Sequence, residues 1–364
     1  MTTAPLPVTI ITGFLGAGKT TLLNTVLRDP EFADTAVLIN EFGEVQIDHD
    51  LVADFTDELV MTTTGCMCCT ASSDIKQSLF ELWEKRQEGK TTPFKRVIVE
   101  TTGLMDPVPV INSLLIPPED NNIDQTVRKE FVLSRVITLF DIIFGPMALD
   151  QGEEALKQIA LADTILLTKT DLAKDPATLR DLEEDKIRLS NINQGARLLD
   201  RQQDWSLIRE QLLNPTAYDL HGRDEDVISW LDAENIPHQH NHSNGHSHHD
   251  HHHHAHGDHH HDVNRHGEDI CSHVIFHDKP VTSEKLDGFL EFVKSSAGTD
   301  LLRIKGIFQL SDDEEKPVVV HGIQHVIYPI DRLDQWPSED NRTKIVMIGR
   351  NLDIAGFEGF LKTP

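Results

Sequence analysis

The stretch Gly13-Phe14-Leu15-Gly16-Ala17-Gly18-Lys19-Thr20 decides the fold of this chain. It fits the pattern G-x-x-x-x-G-K-[ST], with the apolar run Pro7-Val8-Thr9-Ile10-Ile11 before it and an amphipathic segment with helical spacing after it. A strand, a glycine-rich loop and a helix in this order turn backbone N–H groups toward phosphate oxygens. The sequence therefore predicts an α/β fold that begins with a P-loop NTPase domain.

The polar groups of this loop have separate expected roles. We expect Lys19 to neutralise charge on the β and γ phosphates, the Thr20 hydroxyl to reach Mg²⁺, and Thr21 to assist at the α phosphate. A chance glycine-rich turn is the alternative, but eight matched positions at a strand-to-helix junction disfavour it. The predicted phosphate-binding residues are Gly13, Phe14, Leu15, Gly16, Ala17, Gly18, Lys19, Thr20 and Thr21.

Further apolar runs predict a mostly parallel sheet covered on both faces. They begin at Ala36, Arg96, Arg135 and Thr164. Beyond a polar tract, strands are predicted from His273, Leu302, Val318 and Lys344, with helices from Ser283 and after Asn351. We expect a P-loop domain over residues 1–215, a linker over 216–268 and a smaller α+β C-terminal domain over 269–364.

Composition limits the classes of partner. Of 364 residues, 38% are hydrophobic and 26% charged, as in ordinary globular proteins. A formal net charge of −27 opposes binding to nucleic acid and to anionic membranes. The sequence has neither a long apolar run nor a basic segment ahead of its first apolar run. We expect a cytoplasmic protein with no nucleic acid or membrane partner, and the oligomeric state stays open.

A second phosphate-sensing motif is predicted where Val97-Ile98-Val99-Glu100 is followed by Thr101-Thr102-Gly103. Glu100, in place of the more usual Asp, would lie near Mg²⁺, and the N–H of Gly103 near the γ phosphate. Lys19 and Glu100 are therefore the expected catalytic residues, and Thr20 and Glu100 the expected magnesium ligands.

The loop Thr168-Lys169-Thr170-Asp171, after an apolar run, is predicted to recognise the base. The two carboxylate oxygens of Asp171 match the N1–H and N2–H donors of guanine, whereas adenine would leave the carboxylate unpaired. Lys169 would pack its stem along the purine. Thr168 stands where many GTPases have Asn, which would weaken one base contact. GTP is thus favoured over ATP.

Three of the four cysteines crowd into Cys66-Met67-Cys68-Cys69 after Gly65. Three thiolates suit Zn²⁺, Co²⁺ or Cu⁺ and leave a fourth place for water, for Glu41 or Glu44, or for a ligand of an acceptor protein. A redox thiol pair and inert packing are the alternatives. We predict an open metal site at Cys66, Cys68 and Cys69.

The segments GFLGAGKTTLLN, NEFGEVQID, GCMCC, VETTG and TKTD occur in an order that resembles the CobW family of GTPases. RIKGIFQL, HGIQHVIYP and IVMIGRNLD are similar to the family's C-terminal domain, so the resemblance covers about residues 7–362. It implies a zinc or cobalt chaperone or a metal-insertion factor, with GTP bound at residues 13–20 and metal at residues 66–69.

Residues 238–266 carry 15 of the 21 histidines. Neutral imidazoles bind Zn²⁺, Co²⁺ and Ni²⁺ near pH 7, and irregular spacing argues against a single rigid site. A solvated linker is the alternative reading. The residues predicted to load metal are His248, His249, His251, His252, His253 and His254.

Together these features predict a metallochaperone that hydrolyses GTP and transfers Zn²⁺, or Co²⁺, to an apo-metalloenzyme. GTP and Mg²⁺ are expected to draw residues 40–48 and 100–106 onto the γ phosphate and so to gather the cysteines. Since no water-orienting residue is evident, intrinsic hydrolysis should be slow. The alternatives are a metal-insertion factor for cofactor or metalloenzyme maturation, and a non-transferring metal buffer or sensor.

Overall fold

Two β-sheets organise the residues that the computed structural model describes, which are 4–40, 61–63, 71–115, 121–214, 270–328 and 330–363. The first sheet has seven strands in the order β3-β2-β4-β1-β5-β6-β7, and all neighbouring pairs are parallel. The carboxyl ends of β1, β4, β5 and β6 therefore meet at one edge, where ligands bind in such sheets. The strands are β1 (Leu6–Gly13), β2 (Thr35–Asn40), β3 (Met61–Thr63), β4 (Arg96–Thr101), β5 (Phe131–Asp141), β6 (Thr164–Thr168) and β7 (Arg197–Asp200).

Helices cover both faces of this sheet because successive strand residues point to opposite sides. Ile10 packs in the layer formed by α2, α3 and α4, whereas Ile11 packs against α1 and α8. Ile165 and Leu167 contact α5, α6 and α7. The helices are α1 (Lys19–Leu27), α2 (Ala71–Gln87), α3 (Val108–Leu115), α4 (Asn122–Glu130), α5 (Gly145–Gln151), α6 (Glu153–Ala160), α7 (Pro176–Ile192) and α8 (Trp205–Leu213).

The second sheet is antiparallel, with the order β11-β10-β9-β13-β8 and with β12 paired to β10. Two helices cover one face, and the rings of Phe308 and Phe357 pack around Phe289 at centroid distances of 6.0 and 6.4 Å. The elements are β8 (Ile270–His277), α9 (Ser283–Ala297), β9 (Leu301–Leu310), β10 (Asp313–Ile323), β11 (Val326–Ile327), β12 (Asp331–Arg332), β13 (Thr343–Arg350) and α10 (Ile354–Lys362).

The two sheets share cores. Leu302 and Ile348 pack with α5, α6 and α7, and Tyr328 packs with α3. Arg303 donates to the carbonyl oxygens of Leu161 and Ala162, both at 2.8 Å. It also pairs with Asp163, which Lys305 contacts at 3.2 Å. Buried polar groups of the second sheet therefore bind directly to the end of α6 and the start of β6.

Most elements predicted from the sequence are confirmed. The five apolar runs of the first domain correspond to β1, β2, β4, β5 and β6, and the predicted helices from Ser283 and after Asn351 correspond to α9 and α10. The run from Val318 to Tyr328 is divided into β10 and β11, because the chain turns at Gln324 with φ 53°. The strands β3 and β7 had not been predicted. Within the described ranges, no helix is both long enough and apolar enough to cross a membrane.

Candidate functional site

The predicted phosphate-binding loop lies between the carboxyl end of β1 and the first turn of α1. Gly13, Gly16 and Gly18 have backbone φ angles of 136°, 77° and 93°, which residues other than glycine rarely adopt. A Cβ atom at Gly13 would also lie 2.5 Å from the carbonyl oxygen of Leu139 on β5. These glycines allow the tight curl of the loop, as the sequence pattern predicts.

Lys19, the first residue of α1, is buried inside this curl. Its Nζ donates to the carbonyl oxygens of Gly13 at 2.8 Å and Phe14 at 3.2 Å. The ammonium group therefore lies at the centre of the loop, where phosphate oxygens would replace these two carbonyls.

Glu100 lies beside the loop because β4 pairs with β1, with Ile11 and Glu100 in register. Its carboxylate is buried, and its Oε1 accepts from the hydroxyl of Thr20 at 3.5 Å. A carboxylate and a hydroxyl are hard oxygen ligands of the kind that Mg²⁺ prefers. The two predicted magnesium ligands are thus brought together.

Residues 102–107, here called the β4–α3 segment, lie against the phosphate-binding loop. A Cβ atom at Gly103 would lie 2.5 Å from the backbone N and 2.7 Å from the Cα of Leu15. The buried amide of Gln158 on α6 holds the segment by donating to the carbonyl oxygens of Gly103 at 3.3 Å and Met105 at 3.1 Å. Only glycine fits this close approach to Leu15 of the loop.

The predicted base-recognition loop follows β6. The Thr168 hydroxyl donates to the carbonyl oxygen of Ala17 at 2.9 Å, which ties this loop to the phosphate-binding loop. Lys169 has φ 61° and pairs with the buried carboxylate of Asp141, and its Nζ lies 5.4 Å from the centroid of the Phe144 ring. The loop is therefore anchored through side chains at both of its first two positions.

Asp171 is exposed at the outer end of this loop, and its Oδ1 accepts from Nε2 of Gln202 at 2.7 Å. Gln202 lies two residues after the end of β7, and Asp200 of that strand accepts from the Thr170 hydroxyl at 3.1 Å. The loop after β6 and the segment after β7 are thus joined by the side-chain contacts Asp171–Gln202 and Thr170–Asp200. Gln202 uses only one lone pair of Oδ1, so both carboxylate oxygens can still accept from a ligand at the surface.

Comparison with known sequences assigns the chain to a family. The profile of the CobW/HypB/UreG nucleotide-binding domain matches residues 7–199, and that of the cobalamin synthesis protein CobW C-terminal domain matches residues 270–363. The chain belongs to the CobW family. The two matched regions contain the parallel sheet and the antiparallel sheet, respectively.

Relatives in the CobW family carry informative names. The chain is 29% identical to the zinc chaperone YjiA of Escherichia coli K12, over 96% of this chain and 95% of the relative. It is 27% identical to the zinc-regulated GTPase metalloprotein activator 1 of Schizosaccharomyces pombe, over 96% and 83%. The crystal structure of Zn(II)-bound YjiA GTPase from E. coli matches with a TM-score of 0.64, at 25% identity and over 98% of both chains. Relatives of this CobW-family protein are thus named as GTPases and as zinc chaperones.

The predicted metal residues of this CobW-family protein lie outside the described residues. These are Cys66, Cys68 and Cys69, with Glu41 and Glu44, and the histidines of residues 238–266. In the ranges that the structure does describe, no group of three or more His, Cys, Asp and Glu side chains is arranged to hold a metal ion.

Three site residues had not been predicted from the sequence. Asp141 ends β5 and pairs with Lys169, Gln202 follows β7 and contacts Asp171, and Gln158 holds the β4–α3 segment. Asp141 could have been predicted from the sequence, because a polar residue at the carboxyl end of a parallel strand lies at the edge of the sheet where ligands bind. Gln158 lies within a helix and carries no such signal.

Proposed function

We propose that this CobW-family protein is a cytoplasmic GTPase that binds Zn²⁺ at Cys66, Cys68 and Cys69 and transfers it to an acceptor metalloprotein in a GTP-dependent way. The observation that carries the GTPase part is the meeting of Lys19, the Thr20–Glu100 pair and Gly103 at one end of β1. The zinc part is supported by the names of the relatives. Co²⁺ is a second candidate cargo, because three thiolates accept either metal.

The described residues suit each step of GTP binding. Lys19 would exchange the carbonyl oxygens of Gly13 and Phe14 for phosphate oxygens without leaving its buried position. The Thr20 hydroxyl and the Glu100 carboxylate would hold Mg²⁺, which when bound neutralises charge on the phosphates. Gly103 would donate its backbone N–H to the γ phosphate, which distinguishes GTP from GDP.

Guanine is the base that the loop after β6 fits. The carboxylate of Asp171 can accept from the N1–H and N2–H groups of guanine, while Gln202 keeps one of its oxygens oriented. The stem of Lys169 would lie along the base, oriented by its ion pair with Asp141. Slow intrinsic hydrolysis is expected, because within the described residues we identify no side chain that must orient the attacking water.

Thermodynamic linkage couples the nucleotide to the metal. If GTP raises the affinity of the three cysteines for zinc, zinc must raise the affinity for GTP by the same factor, about 5- to 150-fold in typical cases. Zinc would be released to the acceptor if hydrolysis of GTP to GDP removed this increase in zinc affinity. An acceptor with its own thiolate or imidazole ligand would complete the fourth coordination position.

The test is a competition titration of Zn²⁺ and of Co²⁺ into protein bound to GDP or to a non-hydrolysable GTP analogue. Histidines of residues 238–266 are replaced by glutamine, so that their imidazoles do not compete. A several-fold higher affinity with the GTP analogue, abolished by Cys66→Ser, would support the proposal and identify the preferred metal. Equal affinity in both nucleotide states would contradict it and favour a metal buffer.

A further inference from the structure

The β4–α3 segment is held from outside the nucleotide site by one helix, α6. Besides the two bonds from Gln158, Nζ of Lys157 contacts Oδ2 of Asp106 at 2.9 Å. The other carboxylate oxygen of Asp106 accepts from the backbone N–H of Val108, the first residue of α3, at 2.9 Å. Lys157 therefore fixes a carboxylate that defines where the segment ends and α3 begins.

The same lysine is connected to the second sheet through ion pairs. Its Nζ also contacts Oε1 of Glu153, one turn earlier on α6, at 3.3 Å. That oxygen in turn lies 3.3 Å from Nη1 of Arg350, the last residue of β13. The four side chains form a continuous path from the β4–α3 segment to the antiparallel sheet, which we call the α6 path: Asp106, Lys157, Glu153 and Arg350.

The charges along the α6 path favour the ionised states of its two middle groups, Lys157 and Glu153. Lys157 is only 18% exposed. Burial opposes its charge, but the carboxylates of Asp106 and Glu153 outweigh burial and raise its pKa above the usual value. Burial likewise raises the pKa of Glu153, and Lys157 and Arg350 outweigh it and lower that pKa. The ion pair between Lys157 and Glu153 on α6 is therefore favoured in its charged form.

A second contact from the antiparallel sheet reaches α3, the helix that follows the segment. The hydroxyl of Tyr328, just beyond β11, donates to Oδ1 of Asn112 on α3 at 3.4 Å, and both side chains are buried. Ile323 of β10 belongs to the same hydrophobic core as α3. The antiparallel sheet thus contacts α3 directly and the β4–α3 segment through α6.

We propose that Lys157 is a positioning residue of the GTPase site, which sets Gly103 against the γ phosphate and couples this position to the antiparallel sheet through Glu153 and Arg350. This inference rests on the proposed GTPase function. The lysine acts through Asp106 rather than on the nucleotide. Because only a triphosphate reaches Gly103, loss of Lys157 should affect GTP more than GDP.

The decisive comparison is the affinity of the full chain for GDP and for a non-hydrolysable GTP analogue, without added zinc. In Lys157→Met the affinity for the GTP analogue should fall about fivefold or more, with GDP affinity within about twofold of the wild type. The kcat for hydrolysis should also fall. Lys157→Arg should keep most of the wild-type affinity for the GTP analogue and most of the wild-type kcat. The matched control is Lys186→Met, which removes an ion pair with Glu183 on α7 at 2.7 Å and should change neither affinity.

Arg350→Met tests the coupling to the antiparallel sheet. It should reduce the affinity for the GTP analogue in the same direction but by less, and it should add little in the Lys157→Met background, since contacts on one path are not additive. Equal losses for both nucleotides would show that Lys157 only stabilises the fold, and additive effects would show that Arg350 is not on the path. Either result overturns the inference while GTP binding by the wild type still stands. A wild type that does not bind GTP would overturn the proposed function as well.

Discussion

At the scale of single residues, the carboxylate of Asp171 is the group expected to select the base. It is exposed at the end of the loop after β6, and Gln202 binds one of its oxygens at 2.7 Å. Nothing else in the described part of this loop offers two acceptors side by side. Base selection is therefore expected to depend on Asp171 rather than on Thr168, whose hydroxyl is directed to the carbonyl oxygen of Ala17.

Asp171→Asn should change the preferred nucleotide from GTP to XTP. The amide presents a donor where guanine also has donors, which should weaken GTP binding by about 1 to 3 kcal/mol, or roughly 5- to 150-fold, while xanthine gains a partner for its C2 carbonyl. Competition binding with both nucleotides measures this change. The exposed Asp181→Asn on α7 is the control. Unchanged GTP affinity would remove Asp171 from base recognition.

Local sequence pattern predicts best the positions of residues that lie together in one short stretch. Positions 13 to 20 were assigned from their spacing alone, and Lys19, Thr20 and the three loop glycines lie where that spacing places them. Gln202 contacts Asp171 from 31 residues away and Lys157 contacts Asp106 from 51 residues away. Contacts at such separations depend on strand order, which local pattern does not contain.

At the scale of elements, helix α7 carries a charge that opposes folding. It begins with a capping box in which Asp175 accepts from the backbone N–H groups of Ala177 and Thr178. Farther along, Asp185 is 8% exposed. Burial raises its pKa to about 6, with Arg188 opposing and nearby acidic groups contributing. The folded protein therefore binds this proton more tightly than the unfolded chain does.

Asp185→Asn should stabilise the protein at neutral pH. As the folded pKa lies above the ordinary 3.8, ionisation reduces the free energy of unfolding as pH rises from about 4 to about 6. The difference between the folded and ordinary pKa values of Asp185 corresponds to a loss of stability of at most about 3 kcal/mol at pH 7.5 and about 1 kcal/mol at pH 4.5. Urea unfolding at both pH values measures the gain. The exposed Asp287→Asn on α9 is the control substitution, and a pH-independent gain for Asp185→Asn would refute the assignment.

Long strands were predicted better than short ones, whereas the 17-residue helices α2 and α7 had not been predicted. The eight residues of β1 and the fifteen of α9 repeat their apolar pattern often enough to be recognised. The strands β3 and β7 have three and four residues, too few for a period to show. They form because a neighbouring strand, β2 or β6, offers a free edge for pairing.

At the scale of the whole molecule, the buried pair of Arg303 and Asp163 links the two sheets. Burial opposes ionisation of Asp163, but Arg303, Lys305 and Arg135 outweigh it and hold the pKa of this carboxyl well below its usual range. Such a group contributes stability above its unfolded pKa, and this contribution is lost as pH falls through the folded pKa. Its other oxygen accepts from the backbone N–H of Val136 at 2.9 Å.

Arg303→Met should lower the free energy of unfolding by about 3 kcal/mol at pH 7, because it leaves a buried carboxylate with less compensation. Adding Asp163→Asn should restore part of the loss, since the amide oxygen can still accept from Val136. Urea unfolding measures both variants. Arg332→Met, which removes a surface pair with Asp312 at 2.8 Å, should cost under about 1 kcal/mol. Equal costs for the buried and surface pairs would contradict this account.

The position of β1 in its sheet has a consequence for synthesis of the chain. It is synthesised before β4 and β5, the strands with which it pairs, which end at Thr101 and Asp141. At about 5 to 20 residues per second, roughly 6 to 26 s pass before both partners have been made. Until both have been made, β1, with one valine and two isoleucines, has at least one unpaired edge, so the nascent chain is most exposed to aggregation before this central strand has paired on both sides.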